Sequence, residues 1–273
     1  MGLRVNSNTS SINAQRNLAN TTTNLQKSLQ RLSSGLRITR AADDAAGLAI
    51  SEGFRADIRS LSQAQRNAND GISLLQVAEG ALNEVSSILI RQRELAIQAA
   101  NGTLGSSERT TLNNEVSDLR DEIDRIASVT SFNGTLVLSS TATITFQIGT
   151  ENSANDRIDV TGVLANGSNI GISSVSVSTQ TAAQSALSIL DAAIANVASL
   201  RAGFGTVQNR LESAIRSIAV AVENTSAAES RIRDVDFASE TAELTRNQVL
   251  QQAGISVLAQ ANVSTQSALS LLG

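Results

Sequence analysis

The stretch from Leu61 to Ala99 most constrains what this chain can fold into, because apolar residues recur along it at alternating intervals of three and four. Ten of the twelve residues on this spacing are apolar, and the chain contains no proline that would interrupt a helix. Such spacing is typical of the seam along which one long helix packs against another. A helix of this length would extend roughly 60 Å, so we expect it to need an equally long partner.

Residues 187–225 repeat the same spacing, with nine of twelve positions apolar. A membrane span is not expected, because Arg and Glu recur throughout and the apolar runs are too short to cross a bilayer. The two seams predict a mainly α fold: an elongated antiparallel helical bundle or coiled coil, formed by the N- and C-terminal segments, with a small β-hairpin region in the middle of the chain. The seam positions that we single out are Leu75, Leu82, Leu89, Ile194, Leu211 and Ile215.

Both ends of the chain carry narrower apolar stripes on helices that are otherwise polar. Leucines recur at intervals of seven near the N-terminus and of fourteen near the C-terminus. A helix with so narrow a stripe is marginal alone, so we expect these two arms to pair and to pack fully only among neighbouring copies. The arm positions assigned to packing and polymerisation are Leu18, Leu25, Leu29, Leu32, Leu244, Ile255, Leu258, Leu269 and Leu272.

Residues 133–180 are rich in Ser, Thr, Gly and Asn, and their apolar residues alternate at 144–148, 158–160, 170–172 and 175–177. Together with Asn-Gly pairs at 133–134 and 166–167, this pattern predicts short strands and hairpins. The expected domains are therefore a terminal arm domain, residues 1–44 plus 233–273, and a helical bundle domain, residues 45–232, that includes the hairpin segment.

Several residues are expected to delimit the helices. Gly35 is a helix stop, Asp43 or Asp44 caps the next helix, Ser106 or Ser107 caps the third, and Asp236 caps the last. The adjacent pair Asp43-Asp44 also raises the hypothesis of a metal site or an acid–base pair. A cap plus a solvated charge is the favoured interpretation, because the chain has no His or Cys to complete a typical transition-metal site.

Composition narrows the function further. Without His or Cys, Ser-His-Asp triads, thiolate chemistry and disulfides are excluded. A net charge of −4 with both signs interspersed argues against nucleic-acid binding. We predict no enzyme activity, no cofactor, no metal and no membrane insertion, although a glycosidase with paired carboxylates is left open, disfavoured by the small size of segment 133–180. The N-terminus has no apolar core typical of a secretory signal.

Segments at both ends resemble bacterial flagellin. They are 31–51 (RLSSGLRITRAADDAAGLAIS), 68–82 (ANDGISLLQVAEGAL), 93–102 (RELAIQAANG), 132–136 (FNGTL), 230–238 (SRIRDVDFA), 251–262 (QQAGISVLAQAN) and 269–272 (LSLL). They occur in the family's order at both ends and are spread over most of the chain. The short middle segment resembles a minimal flagellin without the outer variable domains.

The resemblance implies a structural subunit that polymerises into the helical flagellar filament used for swimming. The arms would form the inner tube and the bundle the outer wall. It further implies an extracellular location reached by type III export without a cleaved signal peptide. The implied partners are other copies of the chain, an export chaperone at the C-terminal arm, and hook-associated and cap proteins.

The resemblance also implies recognition by Toll-like receptor 5 through residues that fall on Arg91, Leu95 and Glu115. The alternative for these positions is that Leu95 lies beside the seam and the charges are solvated. The alternative function is a hook–filament junction protein of the same flagellar family. A coiled-coil signalling module is a third hypothesis, disfavoured because neither a membrane span nor a symmetric hairpin tip is expected from the sequence.

Overall fold

A computed structural model describes the backbone of residues 8–270 and the side chains of residues 8–263. The prediction of a mainly α fold is confirmed. In chain order the elements are α1 Thr9–Ser34, α2 Ala45–Ala100, α3 Ser106–Val129, β1 Ser131–Phe132, β2 Thr135–Leu136, β3 Thr143–Gln147, a 3₁₀ turn Ala154–Asp156, β4 Arg157–Thr161, α4 Gly167–Ile170, α5 Gln180–Arg233 and α6 Phe237–Ser270.

The chain divides into two compact units. One contains residues 1–56 and 224–273, and the other contains residues 57–223. The domains predicted from the sequence are residues 1–44 plus 233–273 and residues 45–232. Both α2 and α5 contribute residues to each unit.

In the first unit, α1 and α6 run antiparallel. The side chain of Asn8 donates a hydrogen bond to the carbonyl of Ala261 at 2.9 Å, and Arg31 at the other end of α1 pairs with Glu240 at 3.4 Å. Helix α1 ends at Gly35, as predicted, where a φ of 72° lets the chain turn out of the helix. The two N- and C-terminal segments therefore form one paired helical arm.

In the second unit, α2 and α5 pair antiparallel along the two predicted seams. Residues later in α2 contact residues earlier in α5: Glu79 lies 3.5 Å from Arg201, and Arg93 lies 2.6 Å from Asp191. Helix α3 folds back on α2, since the buried Gln92 side chain donates to the Val116 carbonyl at 3.0 Å. Side chains of these three helices and of the strand region form one continuous apolar core.

The helix starts agree with the sequence at two of three positions. Asp44 caps α2 by accepting a hydrogen bond from the Gly47 N–H at 2.8 Å, and Asp236 caps α6 by accepting from Ala238 and Ser239. The prediction for α3 is wrong. The cap is Gly105, whose extended backbone precedes the first turn without a side-chain hydrogen bond.

The middle segment contains two antiparallel sheets of two strands each, in the part of the chain that the structure describes. Strand β3 pairs with β4 in the predicted region, with Phe146 opposite Ile158. The pair β1–β2 turns at Asn133-Gly134, where φ values of 49° and 78° suit Asn and Gly.

The predicted hairpin turn at Asn166-Gly167 is wrong. The Asn166 side chain accepts a hydrogen bond from the Asn169 N–H at 3.1 Å and so caps the short helix α4 instead. Residues 170–177 form no strand, although Ile170, Ile172, Val175 and Val177 are buried. Alternation here reflects a loop that lies against the helices with every second or third side chain inward.

Helix α5 is long enough to cross a membrane, and 18 consecutive residues within it have a mean hydropathy of 1.3, which is apolar enough by composition. One such helix is weak evidence for a membrane span, because helices that pack into a core meet the same criterion. The side chains of Leu190, Val197, Phe204 and Leu211 lie in the apolar core of the second unit.

Candidate assembly and recognition surfaces

The side chains that are fully buried between α1 and α6 are small or polar. Ser11, Ala14, Ser28 and Asn247 are the buried residues there, and the Nδ2 atom of Asn247 has no hydrogen-bond partner among the described residues. The predicted apolar stripe is only half-buried in the single chain: Leu18, Leu25, Leu32, Leu244 and Leu258. Two helices alone thus leave the stripe incompletely covered.

Large apolar side chains also point away from this interface. Val249 is 61% exposed, Val257 58% and Ile255 54%, and Leu29 of α1 is about half exposed. Helix α6 therefore carries apolar side chains on its outer as well as its inner face, which is typical of a helix buried on all sides. The side chain of Leu269 and the whole of Leu272 lie outside the described residues.

A buried carboxylate ties the turn after α1 to the helix itself. The Asp43 side chain is only 7% exposed and accepts hydrogen bonds from Lys27 at 2.8 Å, from the Thr39 N–H and hydroxyl, and from the Arg40 N–H. The interpretation of Asp43 as a solvated charge is therefore wrong. The hydrogen bond from Lys27, helped by those from Thr39 and Arg40, outweighs desolvation and holds the pKa of this carboxyl far below its usual range.

We expect Asp43 to stabilise the first unit in a pH-dependent way. Because its folded pKa is lowered, its contribution is complete above the unfolded pKa of about 3.9 and declines as the pH falls further toward the folded value. An Asp43→Asn variant should therefore melt below wild type at neutral pH, and the difference in Tm should shrink below about pH 4. Thermal melts followed by circular dichroism across this pH range measure it.

Lys27→Met is the matched variant for this prediction, since it removes the largest cause of the pKa shift and leaves the carboxyl in place. It should lose most of the same stabilisation. A Tm difference between wild type and Asp43→Asn that grows on acidification would contradict the assignment.

The three residues predicted for receptor recognition lie in the second unit. Arg91 of α2 bonds Glu115 of α3 at 3.0 and 3.2 Å and Glu94 at 3.0 Å. The hydrogen bonds to Glu94 and then Glu115 raise the pKa of the Arg91 guanidinium. Leu95, in contrast, is 1% exposed and belongs to the apolar core. The structure thus brings Arg91 and Glu115 together at the surface and places Leu95 beneath them.

The predicted seam residues lie in or against the core of the second unit. Leu75, Leu82, Leu89 and Leu211 are fully buried, and Ile194 and Ile215 are half-buried and pack against them. The seam also contains Gln92, whose Oε1 atom has no hydrogen-bond partner among the described residues. A buried polar residue of this kind favours one register of the packed helices over its neighbours.

The sequence did not predict two features: the outward side chains Val249 and Val257 of α6, and the ion pair of Lys27 with the largely covered carboxylate of Asp43. Val249 and Val257 do not lie on the spacing of Leu244, Leu258 and Leu272, although the sequence shows that both are apolar. The pairing of Lys27 with Asp43 has no local signal, because the fold brings the two residues together.

Comparisons with known proteins bear on these surfaces. A family model of the bacterial flagellin N-terminal helical region matches residues 5–143, and one of the bacterial flagellin C-terminal helical region matches residues 187–272. The chain is 46% identical to a flagellin of Halalkalibacterium halodurans over 98% of this chain and 99% of that protein. It is 44% identical to the flagellar filament 33 kDa core protein of Treponema phagedenis, with the same coverage of both chains.

Two solved structures share the fold. A Bacillus cereus flagellin superposes with a TM-score of 0.51 at 33% identity, covering 60% of this chain and 94% of that one. A Vibrio parahaemolyticus protein assigned as flagellar hook-associated superposes with a TM-score of 0.59 at 17% identity, covering 70% of this chain and all of that one. The second likeness shows the fold alone.

Proposed function

The chain belongs to the bacterial flagellin family and is a structural subunit of the flagellar filament, an extracellular appendage; on this premise we propose that the paired arm of α1 and α6 is the surface through which its copies assemble. The family implies self-polymerisation. The proposal adds which residues carry it: the half-buried leucine stripe and the outward apolar side chains of α6.

The observation that supports this assignment is that α6 carries large apolar side chains on its outer as well as its inner face. Contiguous exposed apolar surface on a soluble protein is typical of an interaction site. A head-to-tail contact between identical copies covers such a face and, when it does not close into a ring, generates an open helical array. The arm therefore fits the inner, fully covered part of a filament.

The direct test is seeded growth. Purified chain incubated with short fragments of its own filaments should elongate them, as measured by electron microscopy of filament length. Fragments that stay at their starting length, at protein concentrations where the chain remains folded, would refute the proposed assembly.

A sharper prediction concerns the outward face of α6. The double variant Val249→Thr, Val257→Thr keeps the shape of both side chains but replaces a methyl group with a hydroxyl in each. Each methyl group contributes about 0.8 kcal/mol when buried, so the critical concentration for growth should rise by about tenfold. Light scattering against protein concentration measures it.

Val129→Thr is the matched control, because it makes the same change at a comparably exposed position, 56%, outside the arm. It should leave the critical concentration near the wild-type value. Equal effects of the arm and control variants would contradict a special role of α6.

The remaining partners follow from the family rather than from the geometry. We propose export through the flagellar type III channel without a cleaved signal, a chaperone that covers the C-terminal arm before export, and contacts with hook-associated and cap proteins at the filament ends. The exposed apolar face of α6 supports the chaperone, since such a face requires cover before assembly. Co-purification of the chain with its export chaperone, lost on truncation of α6, tests this part.

A second candidate function is recognition by Toll-like receptor 5. The surface pair Arg91–Glu115 supports it, because it presents both charges at one place on the second unit. Leu95 is buried, so we propose that it positions α2 rather than contacts the receptor. Monomeric wild type should activate a cell reporter for this receptor, and Arg91→Ala with Glu115→Ala should not. No response to wild type would remove this function.

The hook–filament junction alternative is not favoured. Curated relatives at 40–46% identity over nearly the whole chain carry flagellin or filament core protein names. The hook-associated protein of Vibrio parahaemolyticus is only 17% identical to this chain, so it shows a shared fold alone.

A further inference from the structure

The chain contains three Asn-Gly pairs, at 101–102, 133–134 and 166–167, and the fold places them in three different environments. Glycine offers the least hindered backbone nitrogen that can follow an asparagine. We propose that Asn101 is a site of spontaneous deamidation in the folded protein, faster than Asn133 and much faster than Asn166, because its loop activates both reacting groups.

The reaction needs only water. The backbone nitrogen of Gly102 loses its proton to solvent and attacks the Cγ atom of Asn101, and a C–N bond forms. The Cγ–Nδ2 bond then breaks, and the leaving nitrogen takes a proton and departs as ammonia. The resulting succinimide ring adds water and opens to aspartate or isoaspartate. No oxidation or reduction occurs.

The nucleophile at Gly102 is activated by Arg109. The Nη2 atom of Arg109 donates a hydrogen bond to the Asn101 carbonyl oxygen at 2.8 Å, while its Nε atom holds the Ala99 carbonyl at 2.8 Å. The Asn101 carbonyl and the Gly102 nitrogen belong to one peptide group, so deprotonation spreads negative charge onto the oxygen that Arg109 binds. A charge-assisted hydrogen bond stabilises that anion. Within the described residues the Gly102 N–H donates no hydrogen bond that would first have to break.

The electrophile is activated by the next residue. The Thr103 N–H donates to the side-chain oxygen of Asn101 at 3.3 Å. This oxygen gains negative charge as the nitrogen attacks Cγ, so a donor placed there stabilises the tetrahedral intermediate in the manner of an oxyanion hole. Asn101 and Gly102 are both exposed, so water reaches the ring that forms.

The other two pairs lack these features. The Gly167 N–H is buried and donates to the Asp124 carboxylate at 2.7 Å, which opposes loss of its proton, and Asn166 is held as a helix cap. Asn133 lies in the tight turn between β1 and β2, and no cation contacts its carbonyl among the described residues. The expected order is therefore Asn101, then Asn133, then Asn166.

The test follows all three pairs in one sample. The pairs fall in separate tryptic peptides, 94–109, 126–157 and 158–201, whose conversion is measured by mass spectrometry after incubation in mildly alkaline buffer. In the native chain Asn101 should convert fastest and Asn166 slowest. In urea the three rates should converge, because the local structure is lost. Asn133 or Asn166 converting as fast as Asn101 in the native chain would overturn the proposal.

Two variants separate the causes. Arg109→Gln should slow conversion at Asn101 by about tenfold, the effect of one hydrogen bond to a charged group, and leave Asn133 unchanged. Asp124→Ala should raise the rate at Asn166 and leave Asn101 unchanged. An Asn101 rate that is unaltered or faster in a folded Arg109→Gln protein would contradict the role of Arg109. If circular dichroism shows that this variant is unfolded, the comparison of native and urea-treated wild type decides.

Discussion

Removal of residues 240–273 is expected to abolish filament growth completely. The deletion removes all but the first three residues of α6, and with them the partner of α1 and the outward apolar side chains such as Val249 and Val257. A remaining α1 with one narrow stripe has nothing to pack against and should lose its helical order. Electron microscopy of the truncated chain mixed with filament fragments should show no elongation.

The control for this truncation is the second unit, residues 57–223, which has its own apolar core. Its cooperative melting should persist in the truncated chain. Growth of fragments by the truncated chain at the wild-type rate would show that assembly uses other surfaces. Loss of growth together with loss of the second unit's melting transition would point to general unfolding and so contradict the assignment of α6 to assembly alone.

The second large effect is expected at Leu82, which is fully buried in the seam between α2 and α5. Leu82→Ala removes buried methyl groups and leaves a cavity between long helices that are held by neighbouring turns, so the site can collapse only partly. We expect a loss of about 2.7–5 kcal/mol in the free energy of unfolding, as in buried leucine truncations elsewhere. Urea denaturation followed by circular dichroism measures it.

Ile90→Ala is the matched control, because Ile90 lies on the same helix and is half exposed. It should change the free energy of unfolding by about 0.5 kcal/mol or less. A Leu82→Ala variant as stable as Ile90→Ala would mean that the predicted seam is not where the helices pack.

The sequence predicts long helices well because their packing repeats. Alternating spacing of three and four keeps side chains on one helix face, and this face of α2 is buried at Leu75, Leu82 and Leu89. The end of α1 at Gly35 and the start of α6 after Asp236 are equally local, since each depends on one residue and the helix end beside it.

Features that depend on distant residues were not predictable. The sequence alone predicts a solvated charge at Asp43, but the fold brings the ammonium group of Lys27 to 2.8 Å from its carboxylate. Asn166-Gly167 has the sequence of a hairpin turn. In the fold, however, the Asp124 carboxylate accepts a hydrogen bond from the Gly167 N–H and Asn166 caps α4, so this segment forms a short helix. Likewise the stripe of α1 does not reveal that Leu29 stays half exposed. At Asp43 and at Asn166-Gly167 a tertiary contact overrides a local preference.

The central claim is that the arm formed by α1 and α6 acquires its full packing only from other copies of the chain. Hydrogen–deuterium exchange of the same amides in monomeric and filamentous protein tests it most directly. We expect amides of α1 and α6 to exchange far more slowly in the filament than in the monomer, while the core of α2 and α5 around Leu82 changes little. Arm amides that are as protected in the monomer as in the filament would contradict the claim.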